Sequence, residues 1–164
     1  MWSSDRRKFL AVSAAALLGG CGFKPAYGPD GAATGLLGGV EPDAPETRDD
    51  FALVQRLSER LGSAVVPKYA LGYKVSVERR SLAITSANAT TRYTLSGGVT
   101  YQLRDSASRK LLLSGEVQSF TSWSATGSVV ATQAAEEDAH RRLMVILADR
   151  MVTQLIAQSG ALPG

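Results

Sequence analysis

A single cysteine and a single histidine are all that the chain has of two residue types on which much protein chemistry depends. Cys21 has no second thiol to pair with, so an internal disulfide is excluded. His140 falls between charged residues of a predicted helix, and a catalytic triad or a metal site would need partners that the sequence does not supply. We therefore predict a protein that is not an enzyme and that binds no metal or cofactor. A hydrolase is the disfavoured alternative, and an activity lost in His140→Ala would support it.

Long apolar runs are also missing. The longest one near the N-terminus, residues 9–18, follows basic residues 6–8 and is far shorter than the roughly 20 residues that span a bilayer. A basic start, a short apolar middle and two small residues are typical of a secretory signal. Leu-Gly-Gly-Cys at residues 18–21 resembles a bacterial lipobox, which implies cleavage before Cys21 and a diacylglycerol on its thiol. A plain signal peptide that ends near a cysteine is the alternative.

The export route stays open between two pathways. Asp5-Arg6-Arg7-Lys8-Phe9-Leu10 resembles a twin-arginine motif, but Asp5 stands where that motif has Ser or Thr. Two arginines are equally the charged start that any signal needs. We predict three regions: a lipoprotein signal peptide (1–20), a lipidated tether with an edge strand at residues 36–40 (21–46), and a folded domain (47–164). The covalent lipid on Cys21 is the one non-protein group expected.

Net charge is low, and this excludes one class of partner. The chain carries +3, of which the predicted signal contributes +2, so the remaining +1 gives no general attraction to nucleic acid. The charge is concentrated instead. Residues 68–110 contain eight basic residues against two acidic ones: Lys68, Lys74, Arg79, Arg80, Arg92, Arg104, Arg109 and Lys110. Such a block is typical of a surface that meets an anionic partner, although a solvated sheet face would have the same composition.

Two helices are predicted from apolar spacing. Thr47 is a candidate cap for a helix in which Val54, Leu57 and Leu61 recur with helical period, and Gly62 is a suitable stop. The second helix is predicted from about residue 130 to residue 158, with Glu136, Glu137 and Asp138 near its start, where they would favour the helix dipole.

Three long strands are predicted between the helices, because apolar and polar residues alternate in three runs between residues 71 and 123. The alternation slips in the third run, near Phe120 and Trp123, which predicts a bulge. Residues 105–108 predict a hairpin, and Gly97-Gly98 predicts a bend or a close backbone approach. The predicted fold class is α+β: an antiparallel sheet of three to four strands with two helices packed on one face.

The segment Cys21-Gly22-Phe23-Lys24-Pro25-Ala26-Tyr27-Gly28 resembles the start of the alphaproteobacterial form of the LPS-assembly lipoprotein family, LptE, and the order of strands and helices after it fits the same family. The resemblance implies a lipoprotein on the periplasmic side of the outer membrane. It implies that the protein plugs and helps assemble the β-barrel translocon LptD, and that it assists lipopolysaccharide insertion at the cell surface. Membrane attachment would be through the lipid anchor, and no nucleic-acid partner is implied.

The same resemblance implies where lipopolysaccharide would bind. In that family the site is placed on basic residues in the loop between the second and third strands and before the last helix. Arg92 lies at the end of that loop (86–91), Arg79 and Arg80 lie at its other mouth, and Lys74 is a further candidate. Residues 125–133, before the last helix, contain no Lys or Arg, so this part of the family's site has no counterpart here.

A second hypothesis belongs to another class. A periplasmic lipoprotein that serves as an auxiliary subunit of a phospholipid-transport ABC system would share the anchor, the size and the α+β fold. Co-purification discriminates between the two, because the first predicts an outer-membrane barrel and the second predicts an inner-membrane ATPase complex.

Overall fold

The computed structural model describes residues 28, 31, 33–84, 90–125 and 128–162. Its elements are β1 (Val40–Pro42), α1 (Arg48–Leu61), β2 (Tyr69–Ile84), β3 (Thr90–Asp105), β4 (Leu111–Ser124), α2 (Val129–Gln158) and a short 3-10 turn (Ser159–Ala161). The strands form one sheet in the order β1-β2-β3-β4, and both helices pack on one face of it. The predicted α+β class is confirmed. The predicted signal peptide, Cys21 and most of the loop 86–91 lie outside the described residues.

The sheet has one parallel edge. β1 runs parallel to β2, with Val40 opposite Tyr69 and Pro42 opposite Leu71, whereas the other two pairs are antiparallel. Parallel neighbours need a crossover connection, and α1 supplies it. The edge strand predicted at residues 36–40 is displaced, because residues 33–39 form turns and only Val40 belongs to the strand.

The first helix begins at the predicted cap. Asp50 N–H donates to Thr47 Oγ1 (3.1 Å), and Thr47 N–H donates to Asp50 Oδ2 (2.9 Å). This reciprocal capping box pairs amide groups that the first turn of a helix leaves without partners. Gly62 follows the helix with a φ of 80°, a value that favours glycine. The predicted start and end of α1 are therefore confirmed.

Strand alternation gives the sheet two different faces. Residues with odd numbers on β3 point towards the helices, and Leu95, Val99 and Leu103 are buried there. We call this side the helix face, and the opposite side, which carries the even-numbered residues, the open face. In the register, Lys74, Thr100 and Glu116 form one row of the open face. The row is polar, as expected for a face that no helix covers.

The bulge predicted near Phe120 and Trp123 is wrong. The register of β3 and β4 is uninterrupted from Leu113 to Ser124, and the irregularity lies instead at the start of β4, between Leu111 and Leu113. Phe120 breaks the apolar alternation simply because it lies on the open face, where it is 71% exposed.

Two glycines are required by close packing. A Cβ on Gly97 would lie 2.8 Å from Leu143 Cδ2, so the predicted close approach at Gly97-Gly98 is confirmed for the first of the two. A Cβ on Gly115 would lie 2.5 Å from Tyr101 Oη and 2.7 Å from Cζ. The ring of Tyr101 therefore lies directly across Gly115, its partner on the neighbouring strand. Any larger residue at either position would displace a buried side chain.

The second helix supplies the largest part of the core. Its buried residues follow one stripe: Ala139, Leu143, Met144, Leu147, Ala148, Met151, Val152, Leu155 and Ile156. Ser128 caps the helix, so Glu136, Glu137 and Asp138 lie in the second and third turns. The dipole effect that the sequence predicted for these three residues is therefore wrong, because it acts within the first turn.

Charged contacts join the two helices. Asp149 on α2 accepts hydrogen bonds from Arg56 Nε (3.0 Å), Arg56 Nη2 (3.1 Å) and Arg60 Nη1 (2.8 Å) on α1. At the other end of α1, His140 Nδ1 lies 2.9 Å from Asp49 Oδ2. His140 thus has a structural contact that links the start of α1 to α2.

Side chains of α2 also contact the outer edge of β4. Arg150 donates to the carbonyl oxygen of Gln118, and Gln154 Nε2 donates to that of Glu116 (3.4 Å). These carbonyl groups belong to the strand at the end of the sheet, where no further strand among the described residues pairs with them.

Candidate functional site

The four basic residues predicted to bind lipopolysaccharide do not form one cluster. Lys74 and Arg80 are even-numbered residues of β2 and lie on the open face, together with Arg92 on β3. Arg79 is the neighbour of Arg80 on the strand and therefore points to the helix face. Lys74 is six residues from Arg80, about 20 Å along the strand. The structure thus brings Arg80 and Arg92 together and separates both from Arg79 and Lys74.

Arg80 and Arg92 are neighbours across two strands. Arg80 pairs in register with Thr94, and Arg92 precedes Thr94 by two residues on β3. This diagonal relation places backbone positions about 7–8 Å apart, within reach of two long side chains. Arg92 and Lys74 are exposed and form no ion pair with another described residue.

Arg80 is held by a neighbouring carboxylate. Its Nε and Nη2 donate to Glu78 Oε1 (3.1 Å) and Oε2 (2.9 Å), a two-point contact on the open face. The contact lowers the pKa of Glu78 and raises the pKa of Arg80. Glu78 is therefore ionised at neutral pH, and an anionic ligand would have to compete with it for the guanidinium group.

Arg79 is engaged on the other face. Its Nη1 donates to Glu136 Oε1 on α2 (2.8 Å), and its guanidinium carbon lies 5.5 Å from the centre of the Tyr93 ring. Tyr93 stacks in turn on Trp123, with ring centres 5.1 Å apart. These contacts give Arg79 a role in joining the sheet to α2.

Exposed apolar side chains accompany the two arginines of the open face. Phe120 lies in the row of Glu78 and Ser96, next to the row of Arg80. Leu82 is exposed and lies where the register of β2 and β3 shifts, beside Ala83, the partner of Arg92. We call Arg80, Arg92, Leu82 and Phe120 the arginine patch. The sequence singled out the arginines but missed Phe120, because its placement on the open face depends on the register. A surface that combines guanidinium and apolar groups suits an amphiphilic, phosphate-bearing ligand.

A separate groove lies on the helix side, between the start of α1, β2 and α2. Its volume is about 850 Å³, and the charged side chains that line it on this side are mostly acidic: Asp43, Glu46, Arg48, Asp49, Asp50, Glu136, Glu137 and His140. Burial, followed by the nearby charges of Asp50, Asp43 and Glu46, raises the pKa of Tyr73 in this groove to about 12. The phenol therefore stays protonated at neutral pH. Arg48 pairs with Glu137 at 3.2 Å, so the rim is tied together by ion pairs.

The described residues meet neither the requirements of a metal site nor those of a membrane-spanning helix. No three residues among its histidines, cysteines and carboxylates are arranged to hold an ion. Its helices lack the combination of length and apolar character that crossing a bilayer requires.

Comparison with protein families decides the identity of the domain. Residues 38–155 match the sequence model of LptE, described as lipopolysaccharide-assembly. The chain belongs to the LptE family. The match covers α1, all four strands and nearly all of α2, so the family resemblance found in the sequence is confirmed. It begins at residue 38, and Cys21 and the predicted signal peptide precede it. No match was found among curated proteins.

Solved structures of three bacterial proteins share this fold. A protein from Caulobacter crescentus superposes with a TM-score of 0.66 at 21% identity, covering 81% of this chain and 98% of its own. Rare lipoprotein B from Shewanella oneidensis gives 0.55 at 15% identity, covering 74% and 94%. A minor lipoprotein from Acinetobacter baumannii gives 0.54 at 20% identity, covering 73% and 89%. At these identities the similarity establishes the fold.

Proposed function

We propose that this LptE-family protein is an outer-membrane lipoprotein, anchored through Cys21, that plugs the β-barrel LptD and assists lipopolysaccharide insertion at the cell surface. The observation that carries the proposal is the family match over residues 38–155. The lipobox-like segment before Cys21 supports the anchor, and two proteins with the same fold are lipoproteins. The role is one of binding and assembly, without catalysis, metal or cofactor.

The two faces of the sheet suit a plug. The interiors of outer-membrane barrels are polar, so a protein seated in one must present polar groups to the wall. The open face does so along β3, where Thr94, Ser96, Thr100 and Gln102 share that side with Arg104. The helix face is closed by a continuous apolar core, which gives the domain the rigidity that a plug needs.

Cross-linking in native membranes tests the partner. We expect a lysine- or carboxylate-reactive cross-linker to join this chain to an outer-membrane β-barrel, identified by mass spectrometry after affinity purification. The polar open face is the surface expected to carry the cross-links. Recovery of an inner-membrane ATPase complex in place of a barrel would contradict the proposal and favour the phospholipid-transport hypothesis.

We further propose that the arginine patch contacts lipid A phosphates. Arginine binds phosphate at two points, and Phe120 and Leu82 offer apolar surface beside it. A chain with both Arg80→Ala and Arg92→Ala is expected to bind lipopolysaccharide about 3- to 30-fold more weakly, since exposed ion pairs contribute up to about 1 kcal/mol each. The affinity of the double variant should also depend less on salt concentration than that of the parent chain. Titration of the full chain with purified lipopolysaccharide at two salt concentrations measures both effects.

The neighbouring residues provide matched controls for this titration. Arg79→Ala removes one guanidinium group from the opposite face, half of the charge that the double variant removes, and should leave lipopolysaccharide binding unchanged. Glu78→Gln releases Arg80 from its two-point contact and should tighten binding. Two outcomes would show that the arginine patch is only a solvated surface. In the first, Arg79→Ala weakens binding as much as the double variant does. In the second, Glu78→Gln has no effect and the double variant binds normally.

A further inference from the structure

Exposed valines project from the end of the domain that lies opposite the arginine patch. Val65 and Val66, in the connection between α1 and β2, are 94% and 77% exposed. Side chains this exposed make almost no contact with the rest of the described domain. Leu111, at the start of β4, is exposed at the same end of the sheet.

Basic residues surround these valines. Lys68 follows them, and its carbonyl oxygen accepts a hydrogen bond from Ser106 N–H (2.9 Å), which ties the valine segment to the turn between β3 and β4. That turn carries Arg109 and Lys110. Residues 62–68 and 104–111 together contain four basic residues and one acidic residue. The acidic one, Asp105, accepts hydrogen bonds from Ser108, which lower its pKa.

Further carboxylates lie near this end of the domain, among them Glu59 close to the end of α1, which pairs with Arg56 at 3.1 Å. Glu41 on β1 is opposite Ala70, and Ala70 is opposite Arg104. The balance of charge around the valines remains positive. We call Val65, Val66, Lys68, Arg109 and Lys110 the basal surface.

The chain that leads from Cys21 enters the domain at this same end. Gly38 N–H donates to the carbonyl oxygen of Leu61 (2.7 Å), and the carbonyl oxygen of Gly39 accepts from Lys68 N–H (2.9 Å). Thr34 Oγ1 donates to the carbonyl oxygen of Gly28 (3.1 Å), which holds the start of the described chain close by. Six residues lie between Cys21 and Gly28 in the sequence, and the seven steps from one to the other span at most about 25 Å.

We propose that the basal surface rests on an anionic phospholipid bilayer, with the two valines inserted among the headgroups and the basic residues paired with phosphates. The inference rests on the proposed lipid anchor, because a lipid on Cys21 would hold this end of the domain near the bilayer. Apolar side chains flanked by basic residues are the composition that binds anionic membrane surfaces. A lipid chain and a basic surface then act together, as stable membrane attachment requires.

Depth-dependent quenching tests this orientation. Because Cys21 is the only cysteine and would carry the lipid, a fluorophore can be placed on the lipidated full chain through Val66→Cys. Val130→Cys labels an exposed valine at the opposite end and is the matched control. Both proteins are reconstituted into phosphatidylcholine vesicles, with or without phosphatidylglycerol, that contain brominated lipid. We expect loss of most of the fluorescence at position 66, more so with phosphatidylglycerol, and no loss at position 130.

Charge-reversal variants distinguish the contribution of the basic residues from that of the lipid anchor. In the Val66→Cys background, Lys68→Glu with Lys110→Glu should abolish the quenching that depends on phosphatidylglycerol. Arg48→Glu with Arg141→Glu, an equal charge change at exposed positions outside both surfaces, should preserve it. Flotation of the vesicles tests the anchor in the same samples. Equal or absent quenching at both positions in protein that floats overturns the basal surface and leaves the anchor intact. Protein that fails to float contradicts the anchor and overturns both. If an added protein partner shields position 66 and lipid does not quench it, the proposed contact of the basal surface with the bilayer is also overturned.

Discussion

A Leu143→Ala variant is expected to have a free energy of unfolding about 2–5 kcal/mol lower than the parent chain, the usual cost of truncating a fully buried leucine. Leu143 is fully buried on α2 and packs directly against the backbone of β3 at Gly97. Its loss therefore leaves a cavity at the joint between the helix and the sheet. Urea unfolding followed by circular dichroism measures the change. Val130→Ala, at an exposed position of the same helix, is the control and should change the free energy by less than about 0.5 kcal/mol.

The same joint can be tested from the side of the sheet. Gly97→Ala should cost about 1–3 kcal/mol, because its methyl group would overlap Leu143 and approach Leu147 Cδ1 to 3.3 Å. In the Leu143→Ala background the overlap disappears, so the two substitutions should couple by about 0.5–3 kcal/mol. Gly98→Ala is the matched control, since the atom nearest to its Cβ would be Ser76 Oγ at 3.3 Å, followed by Gln118 Cγ and the Val117 carbonyl oxygen at 3.6 Å. Additive costs for Gly97→Ala and Leu143→Ala would show that the two residues do not share this contact.

Replacing the proposed lipidation site should release the protein from the membrane. A Cys21→Ser chain lacks the thiol that accepts diacylglycerol, and each acyl methylene buried in a bilayer is worth about 0.8 kcal/mol. We expect the variant in the soluble fraction after osmotic lysis and carbonate washing, and the parent chain in the membrane fraction. The mass of the parent's N-terminal peptide should show the added lipid. Lys24→Ala, just beyond the lipobox, should stay with the membrane.

An unmodified thiol at Cys21 in protein recovered free from the periplasm would contradict this prediction. It would also remove the support for a membrane-held plug. The basal surface would lose its support too, because it depends on the anchor to bring it near a bilayer.

Local patterns in the sequence predicted most of the LptE fold. Thr47 and Gly62 mark the ends of α1 because capping depends on a few adjacent residues. The three long strands follow from alternation, which a strand with one covered face must show. The parallel β1 could not be predicted, because three residues carry no period and their pairing depends on the crossover through α1. The slip at Phe120 was misread, because an exposed aromatic residue and a bulge disturb alternation in the same way.

The sequence predicted which basic residues are candidates for the site, but it did not predict how they are arranged on the sheet. Adjacent residues of a strand point to opposite faces, so Arg79 and Arg80 could not both belong to one site. The partner of Arg79, Glu136, lies 57 residues away in the sequence, and such contacts leave no local pattern. The pairing of Arg80 with Glu78, two residues apart on one strand, was visible in the sequence once the strand was assigned. The relation between Arg80 and Arg92 required the register of β2 and β3.

The contacts of Arg150 and Gln154 with the last strand have a consequence for self-association. A row of unpaired carbonyl groups at a sheet edge invites a second copy to add its own strand, which leads to fibres or precipitates. Two long side chains from α2 already occupy the carbonyl groups of Gln118 and Glu116, in the middle of that row. Stacking of copies along this edge is therefore obstructed, and the surface of a single copy stays available to a different molecule.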